Sequence, residues 1–207
     1  MVTGAPDRRW VVGITGASGA AYGIKLCREL LAGGYVIHLV VTDAGWRVFK
    51  EELGWDASRR METLRHAFGD EPFEEGRLIY HPLNDIGASI ASGSFRCEGM
   101  VVVPCSMGTL SSIAHGASTN LLTRAADVML KEGRPLLLVP RETPLHAIHL
   151  ENMLALARLG VRIIPAMPAF YYGPQTLDDA VAFMVGKVMD SMSVPHNLYR
   201  RWGESHE

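Results

Sequence analysis

Cysteine is scarce in this chain, and what there is does not pair. Cys27, Cys97 and Cys105 are the only three and form no C-x-x-C motif. That argues against a zinc site or a disulfide framework and fits a reducing compartment. Long apolar runs are also missing: none reaches the ~18–20 residues that a bilayer-spanning helix needs. The opening "MVTGAPDRRWVVG" has no apolar core of a secretory signal. The expectation is a cytoplasmic protein with no membrane partner. Basic runs are absent, so no nucleic-acid partner is expected, and there is no repeat, linker or charge block. Net charge is −2, so an anionic ligand would have to be held by locally placed cations rather than by an overall field.

What the chain does have is a recurring order of strand and helix. "RWVVGIT" (9–15), "YVIHLVVT" (35–42), "RLIYH" (77–81), "GMVVVP" (99–104), "PLLLVP" (135–140) and "VRIIP" (161–165) read as strands. Helical patterns fill residues 20–34, 43–53, 57–66, 108–116, 120–133, 144–160 and 176–192. Continuous apolar strands alternating with amphipathic helices imply a mostly parallel sheet covered on both faces. The fold class is therefore α/β: a doubly wound three-layer sandwich, flavodoxin- or Rossmann-like, with residues 1–207 as one domain.

In such sheets ligands bind beyond the carboxyl ends of the strands. After the first strand comes Gly16-Ala17-Ser18-Gly19, and after the second Thr42-Asp43. After "GMVVVP" comes Cys105-Ser106-Met107-Gly108-Thr109, and after "PLLLVP" come Arg141 and Glu142. After "VRIIP" come Ala166 to Tyr172. Small residues, hydroxyls, an Arg-Glu pair and aromatics thus share one rim, which suits a flat ring system carrying a phosphate.

The stretch "GITGASGAAYG" (13–23) is neither G-x-G-x-x-G nor a Walker loop. Its glycines permit close backbone approach, and amides at the next helix start could face an anion. A plain strand-to-helix turn accounts for it equally well. "CSMGTLSSIAHG" (105–116) repeats the pattern, which N-capping alone does not require. Arg124 and Lys131, seven apart in "TRAADVMLK", read best as a solvated cationic edge. His146 and His149 lack a third metal ligand at matching spacing and read as packing or surface residues. Cys105 lacks a spaced partner and reads as a small buried residue.

Taken together, "GITGASGAAYG", "IASGSF", "VVPCSMGTLSSIAHG", "NLLTRAADVMLKEGRPLLLVPRETPL", "HLENMLALARLG" and "IIPAMPAFYYGPQTLDDAVAFMVGKVMD" resemble the UbiX-type flavin prenyltransferases. The likeness spans nearly the whole chain and is least distinctive over 52–78. The combination of "PRETPL" with "PAMPAFY" is its most specific part. The resemblance implies transfer of the dimethylallyl group of dimethylallyl monophosphate to N5 and C6 of reduced FMN, without a metal. The product, prenylated FMN, would serve UbiD-type decarboxylases. It also implies a homo-oligomer, commonly a dodecamer, with active sites where subunits meet.

Carried over by position, Gly16, Ala17, Ser18, Thr42, Ser106, Met107, Gly108, Thr109 and Arg141 match FMN contacts. Tyr171 and Lys187 match residues on the allylic phosphate, with Arg124 and Lys131 in its charged surroundings. Glu142, Ser18, Glu52 and Trp202 match catalytic positions, the last two on looser local sequence. Lys187 stands where several members carry Arg. Two other readings remain: an FMN-dependent cysteine decarboxylase of the related flavoprotein family, and a non-catalytic flavin carrier. The decarboxylases typically carry a His-Ile segment and a PASANT-like loop, where this chain has Asp85-Ile86 and "PCSMGT". The intact charged set argues against a carrier.

Overall fold

The structure is a computed structural model that describes residues 8–201. Six strands form one sheet: β1 (Arg9–Ile14), β2 (Val36–Val41), β3 (Leu78–His81), β4 (Gly99–Cys105), β5 (Leu136–Pro140) and β6 (Arg162–Ile163). Their order is β3-β2-β1-β4-β5-β6 and every pairing is parallel. The expected doubly wound sheet is present, and all of its strands are parallel.

Among the described residues seven α-helices lie between the strands and an eighth follows the last: α1 (Ala20–Ala32), α2 (Asp43–Leu53), α3 (Arg60–Phe68), α4 (Glu71–Glu74), α5 (Met107–Ala114), α6 (Leu121–Lys131), α7 (Ala147–Arg158) and α8 (Leu177–Met192). Strand side chains alternate between faces, so the sheet divides the apolar interior in two. Val12, Ile14, Leu39, Val41, Val101, Val103, Leu137 and Val139 share a core with α1, α2 and α8. Val11, Val40, Met100, Val102, Leu136 and Leu138 share the other with α5 and α6. Because both faces are covered, β1, β2, β4 and β5 need aliphatic side chains at nearly every position.

Some element boundaries differ from the expected ones. The helix expected over 57–66 runs from Arg60 to Phe68, and α4 follows it with Pro72 near its start, where a missing N–H costs nothing. α7 begins only at Ala147, because His146 has extended backbone and caps it. The strand expected over 161–165 shrinks to Arg162–Ile163, an edge strand paired on one side only.

The chain winds outward from β1 to β3, returns to lay β4 beside β1, and winds outward again. Loops leaving the adjacent β1 and β4 therefore run to opposite faces, α1 on one and α5 on the other. Such a reversal opens a crevice at the carboxyl ends of the strands.

Candidate active site

Thr15, buried at the end of β1, ties the two diverging loops together. Its N–H and its hydroxyl both donate to the Pro104 carbonyl, at 3.2 and 2.9 Å, and its Oγ1 accepts from the Ser106 N–H at 2.7 Å. Ser106 in turn caps α5: its Oγ accepts from the Thr109 N–H at 3.3 Å and pairs with the Thr109 hydroxyl at 3.1 Å. The first loop is shaped by tertiary contact. A Cβ on Gly16 would stand 2.5 Å from the Ala44 Cβ, so α2 can lie against the loop only because position 16 has no side chain. Gly19 has φ +109°, a left-handed value that disfavours other residues.

The amides at the start of α1 already have an anion. The Glu52 carboxylate, from the last turn of α2, accepts from the Gly19 N–H at 3.0 Å to each oxygen and from the Ala20 N–H at 2.8 Å. Charge-assisted contacts at a helix N-terminus are stabilising. The expectation that these amides face a ligand is corrected for this pair: they are spent on the chain's own carboxylate.

The crevice holds a cavity of about 520 Å³. Gly16, Ala17, Ser18, Ser106, Arg141, Glu142 and Thr143 line it. Leu145, Met153, Pro165, Ala166 and Met167 complete an apolar wall. Arg141 reaches across the first loop; its Cδ is 3.4 Å from where a Gly19 Cβ would be. A Glu142 carboxylate oxygen accepts from the Thr143 N–H at 3.0 Å. The volume lies in the range of small-ligand sites, and an apolar wall with a few converging polar groups is their usual chemistry.

Comparison with known proteins agrees with this geometry. A family model described as Flavoprotein matches residues 3–189. A flavin prenyltransferase UbiX from Alkalihalophilus pseudofirmus is 59% identical over 96% of this chain and 98% of its own. The chain belongs to the UbiX flavin prenyltransferase family. AnUbiX, solved in complex with FMN and dimethylallyl pyrophosphate, superposes with TM-score 0.86 at 40% identity, covering 96% of this chain and 99% of that one. A dodecameric FMN-dependent UbiX-like decarboxylase from Escherichia coli O157:H7 gives TM-score 0.84 at 43% identity, covering 95% and 100%. A PPC decarboxylase, at 20% identity and TM-score 0.56, shares the fold alone.

Within this member of the family, the expected residues separate into groups. Gly16, Ala17, Ser18, Ser106, Arg141 and Glu142 come together at the cavity. Thr42 caps α2, its Oγ1 accepting from the Gly45 N–H at 3.0 Å. The Met107 side chain is buried in the second core, so any ligand contact there must use its main chain. Gly108 is exposed with open space around its Cα.

Tyr171 and Lys187 do not line the cavity wall. Tyr171 is on the loop that continues from Met167, and Lys187 is on α8. Arg124 and Lys131, expected in the surroundings of the allylic phosphate, lie elsewhere in the single chain. The apolar side of α6 is in the second core. Arg124 donates to the Ala91 carbonyl at 3.2 Å and pairs with Asp127 at 2.7 Å, while Lys131 pairs with Glu132 at 2.7 Å. A single chain does not bring these two to the cavity. Trp202 lies outside the described residues.

Sequence reasoning missed Thr15 as a tie and Glu52 as a cap. A hydroxyl closing an apolar strand was the available hint for Thr15. Nothing local marks Glu52, whose partners are 33 and 32 positions away. Cys105 and the pair His146 and His149 take the structural places expected of them. Burial pushes the Cys105 thiol up to about 12, which keeps it protonated and unreactive. His146 and His149 stack with ring centroids 3.5 Å apart. Among the described residues no group of three or more His, Cys, Asp or Glu could hold a metal.

Proposed function

We propose that this chain joins the dimethylallyl group of dimethylallyl monophosphate to N5 and C6 of reduced FMN, making prenylated FMN for a UbiD-type decarboxylase. One observation carries the reading: a cavity at the β1/β4 crevice that unites Ser18, Ser106, Arg141 and Glu142 in a member of this family. The residues present fit FMN. Small residues and Ser106 leave room for a flat ring, the apolar wall covers one side, and Arg141 offers a bidentate cation to a phosphate.

When bound, reduced FMN supplies the nucleophilic atoms. The chain's own residues do the rest. Ser18, Tyr171 and Lys187 orient the allylic phosphate and stabilise the charge that grows on it as it leaves. The tyrosine face supports the cation-like allyl fragment. Leu145, Met153 and Met167 keep water from that fragment. Glu142, on the cavity lining, accepts and returns a proton beside the flavin.

The proposed unit is the whole chain as one domain, working in the cytoplasm, where three free cysteines stay reduced. No helix among the described residues is long and apolar enough to cross a membrane. A homo-oligomer, a dodecamer by analogy with the E. coli relative, is supported by α7. Its Ile148, Leu150 and Leu154 are 61, 54 and 50% exposed, and Leu159 beyond it 66%. Exposed apolar surface of that kind marks an interface. Assembly would let Arg124 and Lys131 of one subunit serve a neighbour's cavity.

The test is anaerobic incubation with reduced FMN and dimethylallyl monophosphate, with the flavin followed by mass. A prenylated flavin is expected. Unmodified flavin under conditions where FMN binds would overturn the reading and favour a carrier.

A further inference from the structure

Outside the cavity, the Asp190 carboxylate on α8 gathers several partners. Oδ1 accepts from the Arg201 guanidinium at 2.8 Å and lies 3.2 Å from His196 Nε2. Oδ2 accepts from the Tyr199 hydroxyl and stands 4.0 Å from Lys187 Nζ. His196, Tyr199 and Arg201 belong to the segment that follows α8. Ser193, at φ +58°, reverses the chain, and the Val194 N–H returns to the Met189 carbonyl at 2.9 Å.

The segment then lies back along the helix, which is cut to receive it. A Cβ on Gly186 would stand 2.5 Å from the Tyr199 ring and 2.8 Å from His196. Any other residue there would lift the segment off α8.

The seated segment reaches both residues assigned to the allylic phosphate through side chains of α8. Through Asp190 it shares the charge partner of Lys187. Through its ring, Tyr199 packs on Phe183 with centroids 4.8 Å apart, and Phe183 takes Tyr171 edge-on at 6.1 Å and 88°. Burial pushes the Asp190 carboxyl up, but hydrogen bonds from Arg201, Tyr199 and His196 outweigh it and hold the group at about 2. The anchor therefore stays ionised at any working pH. A lysine needs such an anchor more than an arginine does, because an ammonium has no planar fork to set its direction.

We propose that segment 194–201 is a strap that aims Lys187 and Tyr171 at the allylic phosphate, with Asp190 as its anchor and positioning residue. The inference rests on the reaction proposed above. A strap that only clamped the chain end would support stability and leave substrate discrimination untouched. The two roles separate in kinetics.

Full-length Asp190→Asn and Tyr199→Phe are compared with wild type for the KM of dimethylallyl monophosphate, for FMN affinity by flavin fluorescence, and for Tm. Each variant is expected to raise the allylic KM about tenfold while FMN affinity stays within about twofold. The double variant should be no worse than the stronger single, since both act through one contact. A lower Tm with unchanged allylic KM overturns the proposal, and so does equal loss of both affinities. If Asp190→Asn fails to fold, Tyr199→Phe decides, because it keeps the ring on Gly186 and Phe183 and loses only the hydroxyl. Wild-type turnover tests the reaction separately. Without turnover, calorimetric binding of the monophosphate to the FMN-loaded variants still tests the strap, with the same tenfold loss expected.

Discussion

The carboxylate of Glu52 closes the N-terminus of the helix that begins at Ala20, accepting its N–H at 2.8 Å. The end of α2 thereby holds the first cavity loop from behind. Glu52→Ala should lower stability by about 0.5–1 kcal/mol. It should weaken FMN binding about two- to fivefold. Glu52→Gln keeps an acceptor oxygen without the charge and should fall between. Urea unfolding and flavin titration would show this. A Gln variant that binds FMN normally yet loses turnover would instead put Glu52 on the reacting groups.

Gly16 predicts a packing effect as well as a binding one. Gly16→Ala forces its Cβ onto Ala44 and should cost about 1–3 kcal/mol, the usual range for overpacking. Pairing it with Ala44→Gly should recover most of that stability and of the FMN affinity. If the double variant is as weak as the single, the glycine is required by the ligand and not by α2.

The charged groups around the cavity should separate by kinetic signature. Arg141→Ala and Lys187→Ala should each lower kcat/KM roughly ten- to a hundredfold, as loss of one charge-assisted phosphate contact does. Tyr171→Phe should cost less, because the ring stays. Glu142→Gln should lower kcat about a hundredfold or more with little change in KM, the mark of lost proton transfer. Excess EDTA should leave the wild-type rate unchanged. Full activity in Lys187→Ala, or loss with EDTA, would contradict the phosphate assignment.

Arg124 and Lys131 act across subunits in the proposed assembly, so inactive variants should complement. Arg124→Ala and Glu142→Gln proteins, each nearly inactive alone, should regain measurable turnover when dissociated and reassembled together. Hybrid sites would then hold one intact set. Mixtures that stay inactive while forming mixed oligomers would remove Arg124 from the site.

Acid should weaken the fold through His38 and His81, whose Nδ1 and Nε2 lie 2.9 Å apart in the interior. One nitrogen must donate and the other accept, which a doubly protonated pair cannot do. Burial, then the neighbouring His81 and Arg9, lower His38 to about 4; burial also lowers His81, against the pull of Asp85. The unfolded chain therefore binds more protons between about 6.5 and about 4, and stability falls as pH falls through that window. His38→Gln should flatten the urea midpoint over those pH values. An unchanged slope would show that other groups dominate.

Much of the architecture was legible in the residues alone. Apolar runs such as "WVVGI" and "VVVP" cannot be exposed on either side, so a covered parallel sheet followed from local pattern. Its rule for ligands led directly to Ser18, Ser106, Arg141 and Glu142, because each lies in the loop that leaves the carboxyl end of a strand. The cationic set was not legible in the same way. Arg124 and Lys131 read locally as a solvated cationic edge, and their helix does turn its apolar side to the second core and leave them on its polar side; only the family resemblance set them near a phosphate. The partners of Glu52, Thr15 and Asp190 were beyond sequence reasoning for a common reason. A carboxylate or hydroxyl declares nothing about its partner, and theirs are brought near by strand order, by the seating of α2 on Gly16 and by the return of the chain over Gly186. Periodicity records which face of an element is buried, because burial acts on each side chain separately. Which polar groups then meet is decided only when the faces are packed.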